Sequence, residues 1–132
     1  MTPPGNQPEL ITADLRSAVA EAIRRTRTEI RWKSGKDVKH LAKRIRLGHL
    51  PAEATLTEYE AIITTILNDD RARLYVFFYD DTSYPTVVAT FGNREWLVII
   101  DLNGVMETAF PPDDPTNYLA DSAFVYVGLV EI

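Results

Sequence analysis

Apolar residues recur at helical spacing through the first half of the chain and at extended spacing through the second. From Leu10 to about Trp32, Leu15, Val19, Ile23 and Ile30 fall on one helical stripe, and Thr12 or Asp14 can cap the start. The segment "KSGK" breaks that helix. Asp37 then stands as N-cap of a second helix, which runs to Leu47 and ends at Gly48. A third helix opens at Thr57, where "TEYE" reads as a capping box with Glu60, and continues to about Asn68. Its buried side is Tyr59, Ile62, Ile63, Ile66 and Leu67. After Asp70 the period changes. "RLYVFFY", "YPTVVATF", "EWLVIID", "VMETAF" and "AFVYVGLVEI" are extended runs rich in aromatic and branched residues. Asn103-Gly104 between two of them predicts a type I′ hairpin turn. "EWLVIID" is nearly all apolar, so it belongs at the centre of a sheet. Helices first and strands afterwards specify an α+β fold with a four- to five-stranded antiparallel meander. The three prolines and one glycine of the first eight residues make residues 1–9 a disordered lead-in to one α+β domain over 10–132.

The second helix carries the chemistry. "KDVKHLAKRIRLGHL", residues 36–50, holds both histidines and five of the fourteen Lys and Arg. At about 100° per residue, Val38, Leu41, Ala42 and Ile45 form the expected core face. His40 lies on the far side between Lys43 and Arg44. Lys36, His40 and Arg44 stand in one i, i+4 row, where like charges repel unless an anion lies against them. Phosphate is the obvious anion. Neighbouring cations depress the imidazole's pKa and keep it neutral, able to take a proton near pH 7. An arginine can hold a phosphate and offset charge that grows on it. A solvated helix face with an idle imidazole is the plainer reading of the same residues. His49, just beyond Gly48, reads as a structural residue at a helix C-terminus.

Charge sharpens the contrast between the halves. Residues 1–50 carry eleven basic and five acidic side chains, and residues 51–132 carry three and fourteen. A basic segment in a chain with pI near 5.0 suggests a localised polyanion site, unless the two halves pair within the fold. The chain has no cysteine, which removes disulfides, thiolate nucleophiles and Cys-ligated metals. Asp69-Asp70, Asp80-Asp81 and Asp113-Asp114 sit in expected turns and match no calcium-loop spacing, so no metal or other cofactor is expected. No G-x-S-x-G, G-x-G-x-x-G or P-loop occurs. No membrane span and no secretory signal are expected, which makes the cytoplasm the expected location.

Two residues outside the helix complete the candidate set. The expected hairpin pairs Ile99 with Thr108 and Asp101 with Met106. That puts Thr108 on one sheet face with Leu97, Ile99, Met106 and Phe110, and Trp96 on the other with Val98 and Ile100. Tyr118, in the loop "PTNYLAD", can stack on a base or anchor the loop.

The succession "KHLAKR", "G", "TLTEYEAIITTILND" and "WLVIIDLNGVMETAF" resembles the barnase–EndoU–colicin–RelE group of nucleases, most of all its phage and polymorphic-toxin branches. The resemblance covers roughly residues 36–131. It implies a metal-independent endoribonuclease of toxin type, acting on RNA such as tRNA through 2′-hydroxyl attack and a cyclic phosphate, with a cognate immunity or antitoxin protein as partner. It implies His40 as general acid or base, Arg44 as phosphate-binding cation and Thr108 as a hydroxyl at the scissile phosphate. Lys36 and Lys43 would guide the RNA backbone. No strand carries a second histidine, so a repurposed relative is the alternative: a module that binds RNA or a protein partner without cutting.

Overall fold

The structure, a computed structural model, describes residues 10–129; the expected lead-in at 1–9 and the end of the last apolar run at 130–132 lie outside them. Helix α1 (Ala13–Thr28) opens at Thr12, whose hydroxyl accepts from Leu15 N at 3.1 Å. It ends sooner than the periodicity suggests. Glu29 is extended, and Arg31–Trp32 form a two-residue strand, β1. Helix α2 (Lys36–Arg46) is preceded by Gly35 at φ 77°, and no side chain caps it. Asp37 sits one residue inside the helix and accepts only from the adjacent Val38 N. Helix α3 (Leu56–Leu67) does open on a capping box, but it is formed by Thr55 and Glu58. "TLTEYE" contains the motif twice. Glu60 of the second copy instead accepts from the indole N–H of Trp32 at 2.9 Å. The buried side of α3 is Tyr59, Ile62, Ile63, Ile66 and Leu67, as its pattern specifies.

The strands are β2 (Arg73–Tyr79), β3 (Thr82–Phe91), β4 (Arg94–Ile100), β5 (Val105–Phe110) and β6 (Phe124–Leu129), with a short helix α4 (Pro115–Leu119) before the last. The fold is α+β. Its sheet is larger than a meander and is mixed, with six strands in the order β1-β5-β4-β3-β2-β6. Strand β1 adds a parallel edge beside β5, and β6 crosses back to pair antiparallel with β2. Strand β4 is central, and Trp96 to Ile100 are all buried. The type I′ geometry falls on other turns than Asn103-Gly104: Asp80-Asp81 (φ 52° and 62°) and Gly92-Asn93 (φ 58° and 68°) have the required pairs of positive φ. At the β4–β5 turn, the Asp101 carboxylate accepts from Asn103 N at 2.8 Å and Val105 N at 2.9 Å, and Gly104 alone takes positive φ. A bulge at Glu107 of β5 shifts the register. Ile99 pairs with Thr108, as expected, but Ile100, not Asp101, pairs with Met106. Met106 therefore moves to the opposite face and joins the helix-side core.

That core lies between the sheet and helices α1 and α3, and includes Val19, Ile23, Tyr59, Ile63, Ile66, Val76, Val87, Trp96, Val98 and Ile100. The Tyr59 hydroxyl donates to Ala109 O at 2.6 Å and ties α3 to β5. The other sheet face is only partly covered. Leu119 of α4 packs there on Val88, Leu97 and Phe124, and a cleft opens beside them over Ile99 and Thr108.

Candidate functional site

The open part of the second face is the floor of a cleft of about 940 Å³. Helix α2 forms one wall with His40, Lys43, Arg44 and Leu47. Ile99 and Thr108 lie on the floor, Phe110 to Asp113 close one end, Phe77, Tyr79 and Tyr84 line the other, and Tyr118 bridges the two through Phe110 and Phe124. Lys33, Lys36, Glu107 and His49 complete the rim. All six residues singled out from sequence reach this one cleft.

Helix α2 gets them there by an orientation that its wheel does not suggest. Val38 is 62 % exposed, and Ala42 is exposed as well. Arg44, expected on the far side, is 3 % exposed. The helix borders the sheet edge and makes contact on two sides. Leu41 and Ile45 pack on the helix-side core, while His40 and Arg44 turn toward β5. The expected outward-facing ridge is therefore a half-buried wall: His40 is partly buried, and Lys36 and Lys43 remain exposed.

Two neighbours fix the His40 ring. Its Nδ1 lies 3.4 Å from Thr108 Oγ1. The Trp32 indole lies over it, with centroids 5.6 Å apart and planes 30° from parallel. Glu60 in turn holds the indole N–H. Burial, and then the charges of Arg44, Lys43, Lys36 and Lys39, push the imidazole pKa below its usual value. His40 is therefore neutral at pH 7; in the tautomer whose Nδ1–H donates to Thr108, Nε2 carries the free lone pair.

Arg44 is the unusual group. Its guanidinium carbon lies 5.4 Å from the Phe110 ring centroid. Its Nε and Nη1 are sealed from solvent without a hydrogen-bond partner, and no salt bridge among the described residues includes it. Burial lowers its pKa, but a guanidinium stays charged at pH 7. The wall thus holds a buried, uncompensated cation.

His49 also lines the cleft, although its sequence position reads as structural. Its Nδ1 is buried and unpartnered. Burial lowers its pKa first, Arg44 and Arg94 push the same way, and Asp113 opposes them. Tyr118 is not in an open loop: it belongs to α4 and packs edge-on against Phe110 at 5.3 Å. It also lies 5.5 Å from the Phe124 ring, so it is held between two aromatic neighbours. Sequence reasoning missed Trp32, Glu60, Lys33 and the aromatic group Phe77, Tyr79 and Tyr84. Only the last had a signal, the period-two spacing of Phe77 and Tyr79 across the turn from Tyr84.

Among the described residues, no group of three or more His, Asp or Glu side chains is arranged to hold a metal ion, and no helix is long and apolar enough to cross a membrane. Comparison with known proteins adds no relative to this geometry: no family model, no curated protein and no solved structure matches the chain.

Proposed function

We propose that the cleft binds RNA and cleaves it without a metal ion, in the manner of the toxin-type endoribonucleases that the sequence resembles. The observation that carries this reading is the buried, unpartnered Arg44 guanidinium on the same wall as a neutral His40, with the Thr108 hydroxyl facing that imidazole. An uncompensated buried cation is costly in the free protein and becomes favourable when an anion enters. A phosphodiester supplies that anion.

In the proposed reaction, His40 Nε2 takes the proton of a ribose 2′-hydroxyl. The 2′-oxygen forms a bond to the adjacent phosphorus, and the bond from phosphorus to the 5′-oxygen breaks. The products are a 2′,3′-cyclic phosphate and a 5′-hydroxyl, the latter receiving a proton from an acid in the cleft or from water. Arg44 offsets the charge that builds on the phosphorane, the kind of preorganised cation that contributes most to such catalysis. Thr108 holds the imidazole tautomer, Lys36 and Lys43 guide the backbone, and Tyr118 supports the cleft end. The expected setting is the cytoplasm, with a cognate inhibitor protein restraining the activity.

The test is incubation of the purified protein with total RNA in EDTA, beside His40→Ala. Cleavage that resists EDTA, ends in cyclic phosphates and is lost in the variant supports the reading. RNA left intact by the native protein overturns it, and points to a module that binds without cutting.

A further inference from the structure

The part of the cleft built on β2 and β3 is aromatic rather than cationic, and through Phe124 it is continuous with Tyr118, whose ring lies 5.5 Å from Phe124. Phe77 and Tyr79 alternate on one face of β2, and their rings stack at 5.9 Å with planes 14° apart. Phe77 stacks in turn on Phe124 at 4.6 Å and 26°. Tyr84, the partner of Phe77 across the β2–β3 ladder, lies 6.2 Å from the Phe77 ring. The strip begins buried at Phe124 and ends in solvent, for Tyr79 is 64 % exposed. A large ring held rigidly by its neighbours and yet left in water is ready to meet a flat apolar partner.

The sheet places this strip relative to His40. Thr108 is opposite Ile99, Ile99 is opposite Thr86, and Tyr84 lies two residues along the same face from Thr86. Two strand spacings across and two residues along separate the Cα atoms of Thr108 and Tyr84 by about 12 Å. The aromatic strip is thus too far away to receive the nucleotide whose linkage lies at His40 and Arg44, but a neighbouring nucleotide of the same strand reaches it.

Resting on the proposed function, we infer that Tyr84 and Tyr79 form a stacking subsite for unpaired bases flanking the bound phosphodiester, so the ligand is single-stranded RNA rather than duplex. One wall is cationic and fits the backbone; the far floor is aromatic and fits bases. In a duplex the bases are stacked inside the helix and cannot lie on a tyrosine. Every base has a π-face, so the subsite selects for strandedness and tolerates any sequence.

The probes are three labelled ten-nucleotide oligomers, followed by anisotropy at low salt. One is 2′-O-methyl uridine, which lacks the reacting hydroxyl and cannot be cut. One has the same backbone with abasic residues, and one is the first in duplex with its complement. The base-bearing strand is expected to bind about tenfold tighter than either of the others. Tyr79→Ala with Tyr84→Ala should bring it down to the abasic value and leave abasic binding unchanged. Tyr84→Phe, which retains the ring, should preserve the preference. Equal binding of base-bearing and abasic strands, preference for the duplex, or no binding of any oligomer overturns the inference. The two readings fail separately. Base-dependent binding by a protein that never cuts RNA sustains the subsite and sinks the nuclease, and cutting without base dependence does the reverse.

Discussion

At the scale of single residues, the cleft sacrifices stability for a charge. Leaving a buried polar group without partners costs about 1–3 kcal/mol, and Arg44 has two such nitrogens. Methionine matches the length of the arginine stem and keeps contact with Phe110. Arg44→Met should therefore unfold at higher urea than the native protein, by about 1–2 kcal/mol. Inorganic phosphate should stabilise the native chain, by about 2.7 kcal/mol at a hundred times its Kd, and leave the variant unchanged. Loss of stability in Arg44→Met, or equal stabilisation of both chains by phosphate, would show that the guanidinium is a packing group. The histidines make a second prediction. Both have native pKa values below the usual 6.5, so on acidification the unfolded chain takes up these protons first. Their contribution to stability is complete above pH 6.5 and is lost as pH falls through 6.5 toward the native values. Urea midpoints at pH 7.5 and 5.5 should differ more for the native protein than for His40→Gln combined with His49→Gln. A cleavage profile should likewise keep its base limb below pH 6.5.

At the scale of elements, the site depends on how α2 and the β4–β5 turn are seated. The turn lies against α1: Thr26 Oγ1 donates to Gly104 O at 3.0 Å, and a Cβ on Gly104 would stand 3.0 Å from Arg25 Cβ and 3.1 Å from Ala22 O. With φ at 78°, Gly104→Ala combines backbone strain with a clash and should cost about 2–4 kcal/mol in thermal or urea unfolding. Thr55→Ala removes one capping box and should cost about 1 kcal/mol. A Gly104→Ala cost no larger than that of Thr55→Ala would mean that α1 does not clamp the turn. These elements also explain what could be read in the sequence. Helix α3 was legible because its stripe faces one core. Helix α2 was misread because it touches two layers, and a single apolar stripe does not describe a helix at a sheet edge: Val38 and Ala42 complete the stripe on paper and stand in solvent. Strand β1 has two residues and no period to detect. The turn at Asn103-Gly104 was mistyped because the Asp101 carboxylate, a tertiary choice among hydrogen-bond partners, captures the backbone that a type I′ turn would have used. His40, Arg44 and Thr108 still line one cleft, because that expectation rests on the charged row of α2 and on the Ile99–Thr108 pairing, which the bulge at Glu107 leaves intact.

At the scale of the whole molecule, the charge asymmetry between the halves becomes spatial. The basic half supplies β1 and α2, and with them Lys33, Lys36, Lys43 and Arg44 along the cleft. The acidic half supplies the turns, such as Asp80-Asp81 at the β2–β3 hairpin. The two halves do meet, at Lys33–Glu107 (3.4 Å), but the other cations on this wall stay without an acidic partner among the described residues. A net charge of −5 opposes diffuse binding of a polyanion, so a strand should bind chiefly along this wall. This sets the salt dependence. If all four cations meet phosphates, the logarithm of affinity for a single strand should fall against the logarithm of salt with a slope near −3, at about 0.7 per contact. Lys36→Gln and Lys43→Gln should each flatten that slope by about 0.7 and weaken all sequences alike. Lys39 is exposed on α2 but does not line the cleft, so Lys39→Gln should leave the slope unchanged. Filter binding of the uncleavable uridine oligomer across a salt series measures all four slopes. Equal flattening by Lys39→Gln would mean that the whole helix acts as a diffuse cation, and that the strand is not held along the His40 wall.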